Sequence, residues 1–162
     1  MEFPRFVTRR PRRYSGRVPF ELIDHTEDLA VRLSAPDLAG LIREGVAALR
    51  AILFEAAPPS SVPPGPEREE RIELRALDAE DALVQSLSEA LHALQEGELV
   101  PHVVEVDLSE RGAGLEVALV LRGRDAAASG LRRCEEIKAV TYHGVQVRPA
   151  PGGLEARIVL DV

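Results

Sequence analysis

Asp28-Leu29-Ala30-Val31-Arg32-Leu33-Ser34-Ala35-Pro36-Asp37-Leu38-Ala39-Gly40-Leu41-Ile42-Arg43-Glu44-Gly45-Val46 changes its hydrophobic period halfway along. Leu29, Val31 and Leu33 alternate with Asp28, Ala30 and Arg32, which is the period of a half-buried strand. Beyond Pro36 the apolar residues Leu38, Leu41, Ile42, Val46, Leu49 and Leu53 recur at helical spacing. That spacing predicts an amphipathic helix over residues 37 to 54, packed on the sheet. Ser34-Ala35-Pro36-Asp37 matches a capping box at the junction.

The same alternation of strand and helix returns further along. Ile72, Leu74 and Ala76 predict a short strand; Asp78 and Asp81 can cap a helix whose stripe is Leu83, Val84, Leu87, Leu91 and Leu94, and Gly97 is its stop. From Val103 the period is two. Val104, Val106 and Leu108 lead to a turn at Gly112 to Gly114, and Leu115, Val117, Leu119 and Leu121 return as a hairpin. Residues 137 to 147 and 154 to 161, joined by Pro149-Ala150-Pro151-Gly152-Gly153, predict a second hairpin. Residues 123 to 130 read as an irregular connection. The expected class is α+β, a mostly antiparallel sheet with two long helices packed on one face.

Length and charge narrow the possibilities. A chain of 162 residues, 45% hydrophobic, suits one ordinary core, so a single domain over 19–162 is expected. Residues 58 to 66 hold five prolines in nine positions and read as a loop within it. Residues 1 to 17 carry six arginines against Glu2, a local charge of +5; with −7 overall, the remainder carries −12. Residues 1–18 therefore form a basic arm, expected to be flexible and dispensable, on an acidic body. The acidic body argues against a main surface that binds nucleic acid directly. No apolar run reaches the roughly 18 to 20 residues of a membrane-spanning helix, and a soluble, cytoplasmic protein is expected. Cys134 is the single cysteine, so no internal disulfide or multi-cysteine zinc site is possible.

The candidate chemistry is acidic. Asp24-His25-Thr26-Glu27-Asp28 lies near the start of the folded part, and Leu160-Asp161-Val162 closes the sequence. A strand bearing Asp28 laid beside the last strand gathers the Asp28 and Asp161 carboxylates with the main-chain carboxylate of Val162. Hard oxygens at one spot suit a divalent cation, although this spacing is not that of a helix-loop-helix calcium loop, and each residue read singly is equally a strand-edge or turn residue. His25 between Asp24 and Asp28 also fits an acid–base group of a metal-dependent phosphoester hydrolase, but no nucleophile motif accompanies it. Lys138, the only lysine beside 19 arginines, marks a place where a compact ammonium is wanted. It shares a strand with Thr141 and His143.

These segments resemble one known family. Asp24-His25-Thr26-Glu27-Asp28-Leu29 is similar to the Asp-His-Thr-Ala-Asp-Ile signature of the archeases. Ile137-Lys138-Ala139-Val140-Thr141-Tyr142-His143 resembles their Val-Lys-Ala-Ile-Thr-Tyr-His strand, and Leu160-Asp161-Val162 resembles their terminal apolar-Asp-Ile. All three stand in the family's order. Glu27 replaces the usual alanine, and Arg43 stands at a common helix glutamate, with Glu44 one residue on.

The resemblance implies a small α+β protein that binds calcium and is not itself an enzyme. Its partner would be the GTP-dependent RNA ligase of tRNA splicing and RNA repair, whose guanylylation and multiple turnover archeases promote. A chaperone-like role toward an RNA-modifying methyltransferase is the alternative, with RNA reached mainly through the partner. By motif position the metal ligands are Asp28, Asp161 and Val162, and calcium is expected, with magnesium or manganese also suited to oxygen ligands. Lys138, His143, Asp24, His25 and Glu44 are the candidates for partner activation.

Overall fold

The computed structural model describes residues 20–24, 28–59 and 65–162. In chain order the elements are β1 (Phe20–Asp24), β2 (Asp28–Ala35), α1 (Leu38–Leu53), β3 (Phe54–Ala56), β4 (Arg68–Ala76), α2 (Ala79–Gln95), β5 (Leu99–Arg111), β6 (Gly114–Asp125), β7 (Leu131–Arg133), β8 (Ala139–Ala150) and β9 (Gly153–Asp161). The strands form a four-stranded sheet in the order β1-β2-β9-β8, a three-stranded sheet β4-β6-β5 and a small pair β3-β7. All pairings are antiparallel. Two helices among mostly antiparallel strands are the α+β class that the sequence predicts.

The strands divide into separate sheets where one was expected, and the helices are shared between the two larger ones. α1 packs on β2 and β9 of the first and on β5 of the second; α2 packs on β8 and on β4, β5 and β6. Each large sheet thus has helices on one face only. The common core joins Val31 and Leu33 of β2, Ile158 and Leu160 of β9, Leu41, Ile42 and Leu49 of α1, Leu83, Leu87 and Leu94 of α2, and Leu119 and Leu121 of β6.

Local chemistry sets the boundaries. The cap of α1 is Asp37, whose carboxylate accepts the Gly40 N–H at 2.7 Å, and not Ser34 of the expected capping box. Pro36 explains the difference: a residue before proline is held extended, so β2 persists through Ala35 and the helix starts beyond the ring. At the far end Phe54 leaves the helix for β3 and pairs with Arg133. Asp78 caps α2 by accepting the Asp81 N–H, while the Asp81 carboxylate accepts the Leu77 N–H. Gly112, at φ +61°, supplies the left-handed position of the two-residue β5-β6 turn, and Gly152, at φ +84°, does so after Pro151 in the β8-β9 turn. β1, β3 and β7, which the periodicity did not mark, are five, three and three residues long, too short for alternation to stand out.

Gly45 of α1 faces Leu87 of α2. A Cβ there would lie 2.5 Å and 2.7 Å from the two Cδ atoms of Leu87, itself fully buried. Gly45→Val should therefore cost about 1–3 kcal/mol by overpacking. Ser86 makes the opposite test. Its hydroxyl is buried and has no partner among the described residues, so Ser86→Ala should gain about 1 kcal/mol. Urea unfolding midpoints of the two variants are expected to move in opposite directions.

Candidate functional site

Strand β2 pairs with β9 in unbroken register from Asp28 opposite Asp161 to Ala35 opposite Leu154. Directly opposed residues on antiparallel strands share a face, with Cβ atoms about 4.5–5.5 Å apart. Because Val31, Leu33, Ile158 and Leu160 point into the core, Asp28 and Asp161 point to the outer face, away from the helices. Both are half-buried. Among the described residues no side chain donates to, or ion-pairs with, either carboxylate. Like charges set opposite each other are destabilising unless something positive lies between them.

A third segment meets this pair. Ala139 opens β8 opposite Asp161, and the Lys138 N–H donates to the Asp161 carbonyl at 2.7 Å. Val162 follows, 45% exposed. All three positions assigned to a metal thus meet at one end of the β2-β9 pair. The donor set fits a hard cation: facing carboxylates with no cationic partner, plus a main-chain carboxylate when Val162 ends the chain. Among the described residues no three His, Cys, Asp or Glu side chains converge, so the described side chains bring two carboxylates to this spot.

Of the other candidates, Glu44 and His143 are placed on other elements or further along the sheet from the acid pair. His25 and the Asp24 side chain lie outside the described residues; only the backbone of Asp24 is placed, opposite Leu29. The hydrolase grouping of Asp24, His25 and Asp28 therefore has only Asp28 fully on view. Lys138 immediately precedes β8 and is exposed, next to buried Ile137. There it lines an open cleft of about 270 Å³ with Ser88, His92, Gln95 and Glu96 of α2. Glu44 sits on α1, on the inner side of the sheet. β2 carries Asp28 about 23 Å from Ala35, whereas Glu44 is only about 9 Å along α1 from its start. Burial raises the Glu44 pKa, against the lowering effect of Arg43.

His143 is exposed on a wide bulge, because β8 loses register between Thr141 and Gln146. At this bulge Tyr142 turns toward α2 and donates its hydroxyl to Asp81 Oδ1 at 2.6 Å. Two residues that the sequence reading missed hold β8 in place. Gln95 grips the backbone of Ile137 at both ends: its amide nitrogen donates to the Ile137 carbonyl at 2.9 Å and its oxygen accepts the Ile137 N–H at 3.0 Å. Glu80 accepts the Val147 N–H at 3.1 Å. Gln95 borders the apolar stripe of α2, which is the only signal the sequence carries for it.

Known proteins share this fold. The profile of the Archease protein family matches residues 20–162, and the chain belongs to that family. It is 27% identical over 143 residues to Protein archease of Methanothermobacter thermautotrophicus, covering 88% of this chain and 98% of that one. Protein archease of Methanosarcina barkeri is 24% identical over 144 residues, covering 88% and 95% respectively. Among solved structures, Methanobacterium thermoautotrophicum protein 1598, studied in solution, matches with a TM-score of 0.70 at 25% identity, over 90% of this chain and all of that one. No helix among the described residues is long and apolar enough to cross a membrane.

The Tyr142-Asp81 bond is testable by titration. Donation to Asp81, with burial and the charges of Asp81 and Asp78, pushes the Tyr142 pKa up to about 12. The same bond holds the Asp81 carboxyl below its ordinary value. A phenol that binds its proton more tightly when folded contributes stability fully below about 10, lost as pH rises toward about 12. Spectrophotometric titration should show a late tyrosinate step that Asp81→Asn moves back toward the ordinary range. An unchanged step would place Tyr142 away from Asp81 in solution.

Proposed function

We propose that this chain is a non-catalytic accessory factor of a GTP-dependent RNA ligase, promoting the ligase's guanylylation and multiple turnover while holding a divalent cation, calcium in the first instance. The facing of Asp28 and Asp161 across β2 and β9 carries the reading. Family membership and the resemblance of the Asp28, Lys138 and Asp161 segments support it. Two carboxylates opposed without a cationic neighbour are what a cation-dependent element needs and what a purely structural sheet avoids.

When bound, the cation would neutralise the opposed carboxylates and tie the start of β2 to the end of β9. Asp28, Asp161 and the Val162 main-chain carboxylate would hold it. The chain's own residues supply the rest. The Lys138 N–H fixes the Asp161 carbonyl, and Gln95 fixes Ile137, so β8 begins at a set place beside the acid pair. Lys138 then stands at the same end of the molecule, bordering the cleft against α2 and presenting one ammonium toward the partner. His143, on the exposed bulge further along β8, offers a second contact. The ligase would perform every bond-making step.

The decisive experiment is multiple-turnover RNA joining by the ligase with GTP and metal, with and without this protein. The native chain is expected to stimulate turnover, and folded Asp28→Ala and Asp161→Ala variants to lose that stimulation. Failure of the native chain to stimulate would sink the reading. Calcium affinity is a separate measurement: each alanine variant should bind at least about tenfold more weakly by calorimetry. Residues appended after Val162 should weaken binding while leaving the fold intact, and unchanged affinity would remove Val162 from the ligand set.

A further inference from the structure

The outer face that carries the acid pair also carries an arginine pair. Arg32 of β2 stands directly opposite Arg157 of β9, four residues along each strand from Asp28 and Asp161, or about 13 Å. Gln146 flanks Arg157 on β8, and Arg148 lies opposite Glu155. Together Arg32, Gln146, Arg148, Glu155 and Arg157 border a small hollow of about 40 Å³. Like charges directly opposed across strands are costly, and this chain has a formal charge of −7, so carboxylates to quench them are not scarce.

The carboxylates nearby serve Arg32 and Arg148 but not Arg157. Glu155 is committed to Arg148 at 2.8 Å, and the same oxygen is 3.9 Å from Arg32. Glu21 reaches Arg32 only at 3.5 Å. Arg157 has no carboxylate partner among the described residues; its Nη1 donates to the Gly144 carbonyl at 3.4 Å. A guanidinium has five N–H donors, so most of those on Arg157 have no partner among the described residues.

The β8 bulge is shaped around this side chain. Gly144 has φ +64°, and a Cβ on it would come within 2.7 Å of Arg157 Nη1. A left-handed glycine thus lets the guanidinium rest against the bulge and holds it over the hollow, a placement that a freely solvated arginine does not need.

We propose that Arg32 and Arg157, with Arg148 and Gln146 at the margin, form a binding site for one phosphate group. Planar guanidinium forks match phosphate oxygens, and the hollow has room for a single small anion and not for a whole nucleotide. The phosphate is either free or part of a polynucleotide backbone. The site is separate from the acid pair and does not rest on the ligase reading.

The test is thermal unfolding of the full chain at matched ionic strength with chloride, inorganic phosphate, a short single-stranded oligoribonucleotide or a hexaglutamate peptide. Arg157→Gln and Arg32→Gln serve as variants. Removing one guanidinium should also relieve repulsion, so the variants should remain folded, which circular dichroism checks. A saturable rise in Tm with phosphate, its apparent Kd weakened about tenfold in either variant, supports the site with free phosphate as ligand. A variant-sensitive rise with the oligonucleotide alone supports it with the backbone as source. No rise with either, or a rise that both variants retain, overturns the proposal and assigns any oligonucleotide binding to other arginines. An equal, variant-sensitive rise with hexaglutamate overturns the phosphate assignment.

Discussion

The pairing of β2 with β9 is the constraint on which the remainder rests. It joins residues more than a hundred positions apart in unbroken register. Because side chains alternate along a strand, that one register fixes two surfaces at once. Val31, Leu33, Ile158 and Leu160 enter the core beneath the helices, and Asp28, Asp161, Arg32 and Arg157 are driven to the outer face. A slip of one residue would reverse both sets. Apolar burial therefore enforces the meeting of like charges, overriding the modest repulsion between them.

α2 is the second organising element, and it acts on the edge of the sheet. β8 is an edge strand, and an open edge invites pairing with another chain. Glu80 occupies its Val147 N–H, Asp81 takes the Tyr142 hydroxyl, and Gln95 grips Ile137 from the opposite end of the same helix. Polar contacts at both ends of one helix thus set where β8 begins, where it bulges and how its free edge is covered.

Much of this was legible in the sequence. The switch of period around Pro36, the stripe of α2 and the glycine-bearing turns of both hairpins gave strong local signals, because each follows from a rule acting over a few residues. The capping residue was misread because Ser34 fits a side-chain pattern, whereas the proline ring governs the backbone. β1, β3 and β7 went unmarked for lack of length. The division into two sheets is a tertiary outcome: helices apolar around much of their circumference can cover a sheet on either side, and local period does not say how many. The acid pair was foreseen because two strand ends needed only to be neighbours. The roles of Gln95 and Glu80 depend on which backbone groups lie unpaired beside α2, which no local pattern encodes. Lys138 was read as part of a strand, whereas β8 begins only at Ala139, and Ile137 and Val140 are both buried, so simple alternation does not extend across this segment.

The place of β9 in the chain has one more consequence. It follows every other described element, and chains are made from the N-terminus at about 5–20 residues per second. While the helices and the β5-β6 hairpin emerge, β2 has no partner on its β9 side, and Asp28 and Arg32 stand alone. Neither charged pair exists until the last strand docks. A chain cut before β9 would lack both pairs, so their presence reports that the last described strand has docked on β2.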